Sequence, residues 1–334
     1  PRYSGALNFG YGYPLFNYYA VFPYFLGAMA SYLLGFVAAT KLLFVIPILF
    51  DSFSMFLLAN ELFGRKAAIV ASVLYTFAPF KALDIYVRGD IAESFAMATV
   101  PLIVYFALKL IRKKSVKYMI SLSVSSAIFL TSHNIMTVLF SPVIFLLVIY
   151  FLQQEKWKNL FPLLFSSLIG IGLSAFFIFP AYFEKNLVQI DNLIRLDLDF
   201  RAHFVTFNQL FFDRFWGYGA SSPGTNDTIS FQIGWPHWWI AVASFIMFLF
   251  SLIFKRKFNS LFPILFFIFL FSIFMTHIKS AFIWEKIEVL KFTQFPWRFL
   301  SLTIFIISLL GAYLVYNFKE SYKKYLSILL ISLT

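Results

Sequence analysis

Along this chain apolar residues run in long blocks separated by short polar clusters, and the blocks have bilayer length. A transmembrane helix needs about 20 predominantly apolar residues, and stretches such as Leu160–Pro180 supply them without a charge. Read this way, the chain forms spans at about 40–61, 67–81, 92–111, 117–132, 135–152 and 160–180, then at about 237–254, 260–277 and 298–317, with a truncated one from 325. The pattern predicts an all-α membrane protein, a polytopic helical bundle of about nine complete spans plus the truncated one. Its organisation reads as an opening segment at 1–39, a membrane core of six spans at 40–180, a loop or lid at 181–236, and C-terminal spans at 237–334.

One apolar block breaks the alternation if it crosses. Phe16–Gly35 is hydrophobic enough, but Pro14, Pro23, Gly27 and Gly35 interrupt a regular helix. It reads as broken helices lying in the interface, with Tyr18, Tyr19 and Tyr24 at headgroup level. An ordinary span is the competing reading.

Composition agrees with the pattern. Charged residues make up 13% of the chain and hydrophobic ones 61%, whereas a soluble domain carries about a quarter charged residues. The net charge of +12 does not point to nucleic acid, because the basic residues sit in short clusters between spans. Arg65-Lys66, Arg112-Lys113-Lys114 with Lys117, Lys156 with Lys158, Lys255-Arg256-Lys257, and Lys319 with Lys323-Lys324 all fall on one side when the helices alternate. That is the positive-inside pattern. Of 15 acidic residues, Asp84, Asp90, Glu93, Glu184, Asp191, Asp197, Asp199, Asp213, Asp227, Glu285 and Glu288 then lie on the opposite side. A multi-pass protein of the cell membrane with its functional face outside the cytoplasm is expected. The absence of cysteine excludes disulfides and thiol chemistry. The chain starts at Pro1 and stops inside the apolar run Tyr325–Thr334, which reads as a fragment cut at both ends.

The segment Asn8-Phe-Gly-Tyr-Gly-Tyr-Pro-Leu-Phe-Asn-Tyr-Tyr19, followed by Phe22-Pro-Tyr-Phe-Leu-Gly27, resembles the opening external loop of a bacterial and archaeal family of polytopic membrane proteins. The family is called 6-pyruvoyl-tetrahydropterin synthase-related and is similar to YfhO-type proteins. Leu62-Phe-Gly-Arg-Lys66, Tyr86-Val-Arg-Gly-Asp-Ile-Ala-Glu93, Ser132-His-Asn134, Trp216-Gly-Tyr-Gly219 and Gln294-Phe-Pro-Trp-Arg298 carry the resemblance along the chain. No histidine cluster of a pterin synthase accompanies the name. The family in turn resembles the GT-C superfamily of glycosyltransferases. That resemblance implies a GT-C type bundle, a polyprenyl-phosphate-linked sugar donor, and a glycan, lipid or protein acceptor. It also implies that residues 1–39 are the end of the first outer loop, with the first span and a catalytic acid upstream of Pro1. A transporter or flippase of lipid-linked sugars and a non-catalytic assembly subunit are the competing functions. No cofactor motif is present and no metal-ligand spacing links His203, His237 and His277, although GT-C relatives sometimes use a divalent cation.

The residues that could carry such chemistry cluster at Asp84, Arg88, Asp90 and Glu93. A phosphate donor needs a cation, which Arg88 supplies as a bidentate fork. An acceptor hydroxyl needs a carboxylate, for which Glu93, Asp84 and Asp90 are the catalytic candidates. The competing reading is an interfacial loop whose Arg and acids pair with each other. His133 and Asn134 fit a sugar or phosphate, or else a polar turn with Asn134 as the helix N-cap. Arg298 fits a phosphate at the membrane face, or else an interfacial anchor beside Trp297 in the aromatic belt. Arg2 is a further substrate-binding candidate. Asp51, in the middle of a span, is expected to pair with an outer-loop residue or a neighbouring hydroxyl. The stretch with Asp191, Arg195, Asp197, Asp199 and Arg201 reads as part of a lid or as a solvated loop. Asn226-Asp-Thr228 matches a glycosylation sequon that short sequences produce by chance.

Overall fold

A computed structural model describes residues 3–189, 198–224, 227–254, 259–318 and 320–334. In chain order the helices are α1 (Leu15–Tyr18), α2 (Phe22–Leu34), α3 (Phe36–Phe63), α4 (Arg65–Thr76), α5 (Pro79–Ala82), α6 (Ile91–Arg112), α7 (Val116–Ser132), α8 (Asn134–Gln154) and α9 (Leu160–Phe183). There follow α10 (Phe207–Phe211), α11 (Trp235–Ile253), α12 (Leu261–Thr276), α13 (Ala281–Lys286), α14 (Glu288–Lys291), α15 (Leu300–Asn317) and α16 (Glu320–Leu333). Among the described residues there is no strand, only an isolated bridge between Ser4 and Tyr13.

Every apolar block in the sequence is helical, but not every helix is a simple span. Among the described residues six segments are long and apolar enough to cross a membrane, or up to eight if each of two bent pairs counts as one span. The first bent pair joins Arg65–Thr76 to Pro79–Arg88 at 43°. Its break follows from proline, which disfavours helix in the residue before it; Ala78 is extended (φ −61°, ψ 139°). The second joins Leu261–Thr276 to Ile278–Lys286 at 95°, around an extended His277. The block read as a span at 117–132 is α7, whose 17 residues fall below the length criterion of 18. Residues 16–35 form a broken pair of short helices: α1 ends before an extended Tyr19, and α2 has 13 residues.

The chain divides into two compact units, Pro1–Phe50 with Asp90–Ile190, and Asp51–Gly89 with Asp191–Thr334. In the first, α6 packs against α7, α8 and α9, and α7 lies along α9. Lipid tails are as apolar as leucine, so such packing relies on close approach and interhelical hydrogen bonds. Gly170 provides the approach, since a Cβ there would lie 2.7 Å from Ser126 Cβ and 3.0 Å from Ser123 O. Ser123 Oγ then donates to Ser166 O at 2.8 Å.

In the second unit α15 is the central helix, packed on α4, α11 and α12. Ser244 Oγ donates to Leu310 O at 3.0 Å, and the Ser272 and Thr303 hydroxyls share a bond of 2.8 Å. Asp51 has its partner here: Lys81 Nζ donates to its Oδ1 at 2.7 Å, with both side chains 1% exposed. Lys81 also lies 4.7 Å over the Tyr75 ring. The structural role expected for Asp51 is therefore filled by an ion pair with Lys81 of α5, in the second limb of the first bent pair.

Candidate functional site

The acidic motif Asp84–Glu93 separates into two pieces with different partners. Its second half begins α6, where Asp90 is the N-cap and its Oδ1 accepts from the Glu93 backbone N–H at 2.9 Å. An Asp in this place satisfies one of the free N–H groups of the first turn and suits the positive end of the helix dipole. Glu93 follows at the third helical position with its side chain fully buried.

His133 joins these two carboxylates from the turn between α7 and α8. Its Nε2 lies 3.9 Å from Asp90 Oδ2. One ligating atom from each of Asp90, Glu93 and His133 fits within 4.8 Å of the other two. The cap of α8 is His133 and not Asn134: the backbone N–H of Met136 donates to His133 Nδ1 at 3.2 Å. Asn has the stronger N-cap preference, but the extended residue that stops α7 (φ −161°) is His133, so Asn134 is already helical. The Asn134 amide instead donates to Tyr18 O at 3.0 Å.

That bond is one of several that fasten the opening segment to this unit. Val21 N–H donates to Thr131 O at 3.0 Å. Asn17 Nδ2 donates to Glu184 Oε2 at 2.9 Å, and Tyr18 OH donates to Glu184 O at 2.7 Å. Phe22 stands edge-on to Phe95 at 6.0 Å. Burial first, then the Tyr19 hydroxyl and the Asp90 carboxylate, raises the Tyr24 hydroxyl above the ordinary phenol range, so it remains a proton donor. In the sequence Tyr18 stood out only as an interfacial aromatic and Glu184 only as an outer-side acid, and Asn17 was not singled out. Their only signal was position, with polar groups interrupting an aromatic run and closing an apolar helix.

A divalent cation would find two hard carboxylate oxygens here, but the imidazole does not fit as a third ligand. With Nδ1 accepting the cap bond, the proton of the neutral ring sits on Nε2, which then presents a hydrogen toward Asp90 and not a lone pair. Ligation through Nε2 would require moving that proton to Nδ1 and losing the cap. The arrangement brings two carboxylates and an imidazole together at the start of α6.

The first half of the motif belongs to the second unit. Leu83–Arg88 is a π-helical turn closed by Gly89 in the left-handed region (φ 63°), a position that favours glycine. Asp84 is fully buried and forms an ion pair with Arg88, whose guanidinium also lies 4.8 Å over the Trp297 ring. Asp84 is thus placed as the counter-ion of Arg88. Arg298, 6% exposed, donates from Nη1 to Thr293 O at 2.7 Å, and its guanidinium lies 5.1 Å over Phe295 and 5.9 Å over Trp297. Trp297 Nε1 in turn donates to Ser221 Oγ at 3.2 Å. Both readings of Arg298 keep a basis, since it is anchored on backbone while remaining a buried cation beside an aromatic pair.

Arg201 pairs with Asp199 at 3.1 Å and with Glu285 at 3.4 Å, all on exposed or half-buried side chains. Such pairs contribute little. Arg2, Asp191, Arg195, Asp197 and Asn226 lie outside the described residues.

Comparison with known proteins adds the family. An uncharacterized protein of Lactococcus lactis subsp. cremoris (strain MG1363) is 26% identical over 191 residues, which cover 54% of this chain and 31% of that protein. The aligned part therefore spans about a third of that relative's length. No solved structure matches the chain. The family profile for the 6-pyruvoyl-tetrahydropterin synthase related domain, a membrane protein, matches residues 16–334. With nearly its whole length matched, this multi-pass helical chain belongs to the 6-pyruvoyl-tetrahydropterin synthase-related family of membrane proteins.

Proposed function

We propose that the protein is a membrane glycosyltransferase that moves a sugar from a polyprenyl-phosphate carrier to a hydroxyl of a glycan, lipid or protein on the extracytoplasmic face of the cell membrane. The observation that supports this is the acid–base group at the start of α6, where buried Glu93 shares its surroundings with Asp90 and His133. In the transfer, the acceptor oxygen bonds to the anomeric carbon and the carrier phosphate leaves with the bonding pair. Glu93 takes the acceptor proton, and Asp90 and the His133 Nε2–H hold the group in place. The carrier phosphate needs a cation, and Arg88 and Arg298 of the second unit are the residues to substitute in testing for one. The likeness to GT-C enzymes adds an analogy of fold, which is weaker than the site.

His133 allows a clean test. His133→Asn keeps a good N-cap, so thermal stability is expected to be retained, whereas His133→Ala loses about 1 kcal/mol. Both variants should release polyprenyl phosphate from the sugar donor at least about tenfold more slowly. Full activity of His133→Asn would remove the imidazole from the reaction. The face is tested by cysteines at Ser115, Ser321 and Ser222. The first two should react with an impermeant thiol reagent only in opened membranes, and the third in intact cells; the reverse pattern would move the site to the cytoplasm.

A second reading, transport of lipid-linked sugars, has one observation in its favour. The buried Asp51–Lys81 pair lies in a unit that also holds two broken helices, and transporters combine such features. A transporter would move the labelled donor across a vesicle wall intact, with no polyprenyl phosphate released.

A further inference from the structure

Within the first unit a groove of about 340 Å³ runs between α2, α7 and α9. Helical spacing builds it. Phe22, Phe25 and Met29 turn one face of α2 into the groove, and Val124, Ile128 and Thr131 do the same for α7, at steps of three and four residues. Thr131 is the only polar side chain on its wall among the described residues, and its hydroxyl is engaged inside α7, donating to Ala127 O at 2.7 Å. The wall therefore offers contacts to hydrocarbon and almost nothing else.

The groove has a defined head. At one end the Val21 N–H donates to Thr131 O at 3.0 Å. Thr131 stands two residues before His133, so their α-carbons are no more than about 7 Å apart. Phe22, at the same end, is edge-on to Phe95, which lies two residues after Glu93. From Thr131 back to Val124 the groove follows α7 for about 10 Å, away from the acid–base group. A chain lying in it thus carries its headgroup at the level of Asp90, Glu93 and His133.

Charge then selects the headgroup. No Lys or Arg is among the residues that line the groove, and the group at its head contains two carboxylates. A phosphate placed there would meet like charge. A hydroxyl would instead find acceptors for its proton.

We propose that this groove seats the hydrocarbon chain of the sugar acceptor, a lipid with an uncharged hydroxyl headgroup such as a diacylglycerol. The proposal rests on the transferase reading and names its acceptor class. The lipid hydroxyl oxygen bonds to the anomeric carbon, the carrier phosphate leaves with the bonding pair, and Glu93 takes the proton.

The test places the full-length protein in liposomes with a photoreactive diacylglycerol and maps the label by mass spectrometry. Label should fall on the groove faces of α2, α7 and α9. Unlabelled diacylglycerol should displace it at least about tenfold better than phosphatidate with the same chains. Asp90→Asn keeps the helix cap and should bring the two competitors close together. Leu173→Trp and Val124→Trp, both at exposed positions on the wall, fill the groove, and each should cut labelling at least about tenfold. Equal competition by phosphatidate in the parent protein, label outside the groove, or labelling unchanged in a folded tryptophan variant would overturn the proposal. A photoreactive amino acid at Met29 should capture lipid, and capture of a peptide in its place would overturn it too. Transfer is read separately. Transfer to a water-soluble glycan that Leu173→Trp leaves undiminished, with no product on diacylglycerol, would overturn the lipid acceptor and leave the transferase standing. No release of polyprenyl phosphate with either acceptor would overturn the transferase reading and with it the acceptor role, even where the groove is labelled.

Discussion

Changing Glu93 to glutamine is expected to lower turnover by a factor on the order of 100 or more, with the protein still folded, if the carboxylate is the general base. Glutamine keeps the size and leaves the Asp90 cap bond intact, because that bond uses the Glu93 backbone N–H. It removes only the ability to accept a proton. Donor affinity should change little, since the carrier phosphate is not held by this carboxylate. The measurement is release of polyprenyl phosphate from a labelled donor, beside thermal stability in the same detergent. A structural role predicts the opposite split, with stability lost and turnover per folded molecule kept. Unchanged turnover and affinity in a stable Glu93→Gln protein would falsify the catalytic role and return attention to Asp90.

Asp51→Leu is expected to destabilise the protein by about 3–5 kcal/mol, because it leaves Lys81 buried and charged without its partner. Lys81 is 1% exposed and its ammonium is 2.7 Å from Asp51 Oδ1, so water cannot take the place of the carboxylate. The double variant Asp51→Leu with Lys81→Met should recover most of the loss. Replacing both ends of a buried pair with apolar groups is often neutral or stabilising, and a methionine sulfur can still meet the Tyr75 ring. Thermal unfolding of the two single variants and the double variant gives the coupling directly. If each single variant is as stable as the parent, the pair is solvated and the reading of burial is wrong. The double variant also separates the two functions. A transferase should keep its activity once stability is restored, whereas a transporter using the pair would remain dead.

The helices were legible because blocks of bilayer length leave little other solution for the backbone. The number of spans was less so. Hydropathy does not register the extended Ala78 before Pro79 or the extended His277, and each turns one apolar block into a bent pair. The sequence placed Asp84, Arg88, Asp90 and Glu93 in one cluster through adjacency alone. Gly89 and the cap at Asp90 divide them, so that Asp84 serves Arg88 while Asp90 meets His133. The last contact is non-local, and no local rule reports it. Cap preference pointed to Asn134, but the end of α7 set the cap one residue earlier. Asp51 was read correctly as a paired group, though chain position could not choose Lys81 over other partners.

The same ion pair has a bearing on how the protein is made. Asp51 leaves the ribosome 30 residues before Lys81, so α3 is offered to the insertion machinery while its carboxylate has no partner. A charged residue at the centre of a helix costs about 2.5–3.5 kcal/mol at that stage. The rest of α3 can absorb it, with a mean hydropathy of 2.2 over its most apolar window. Lys81 then arrives on a helix broken at Ala78, and the two charges neutralise each other inside the bilayer. A nascent chain arrested between these residues should therefore hold α3 less firmly than one released beyond Lys81.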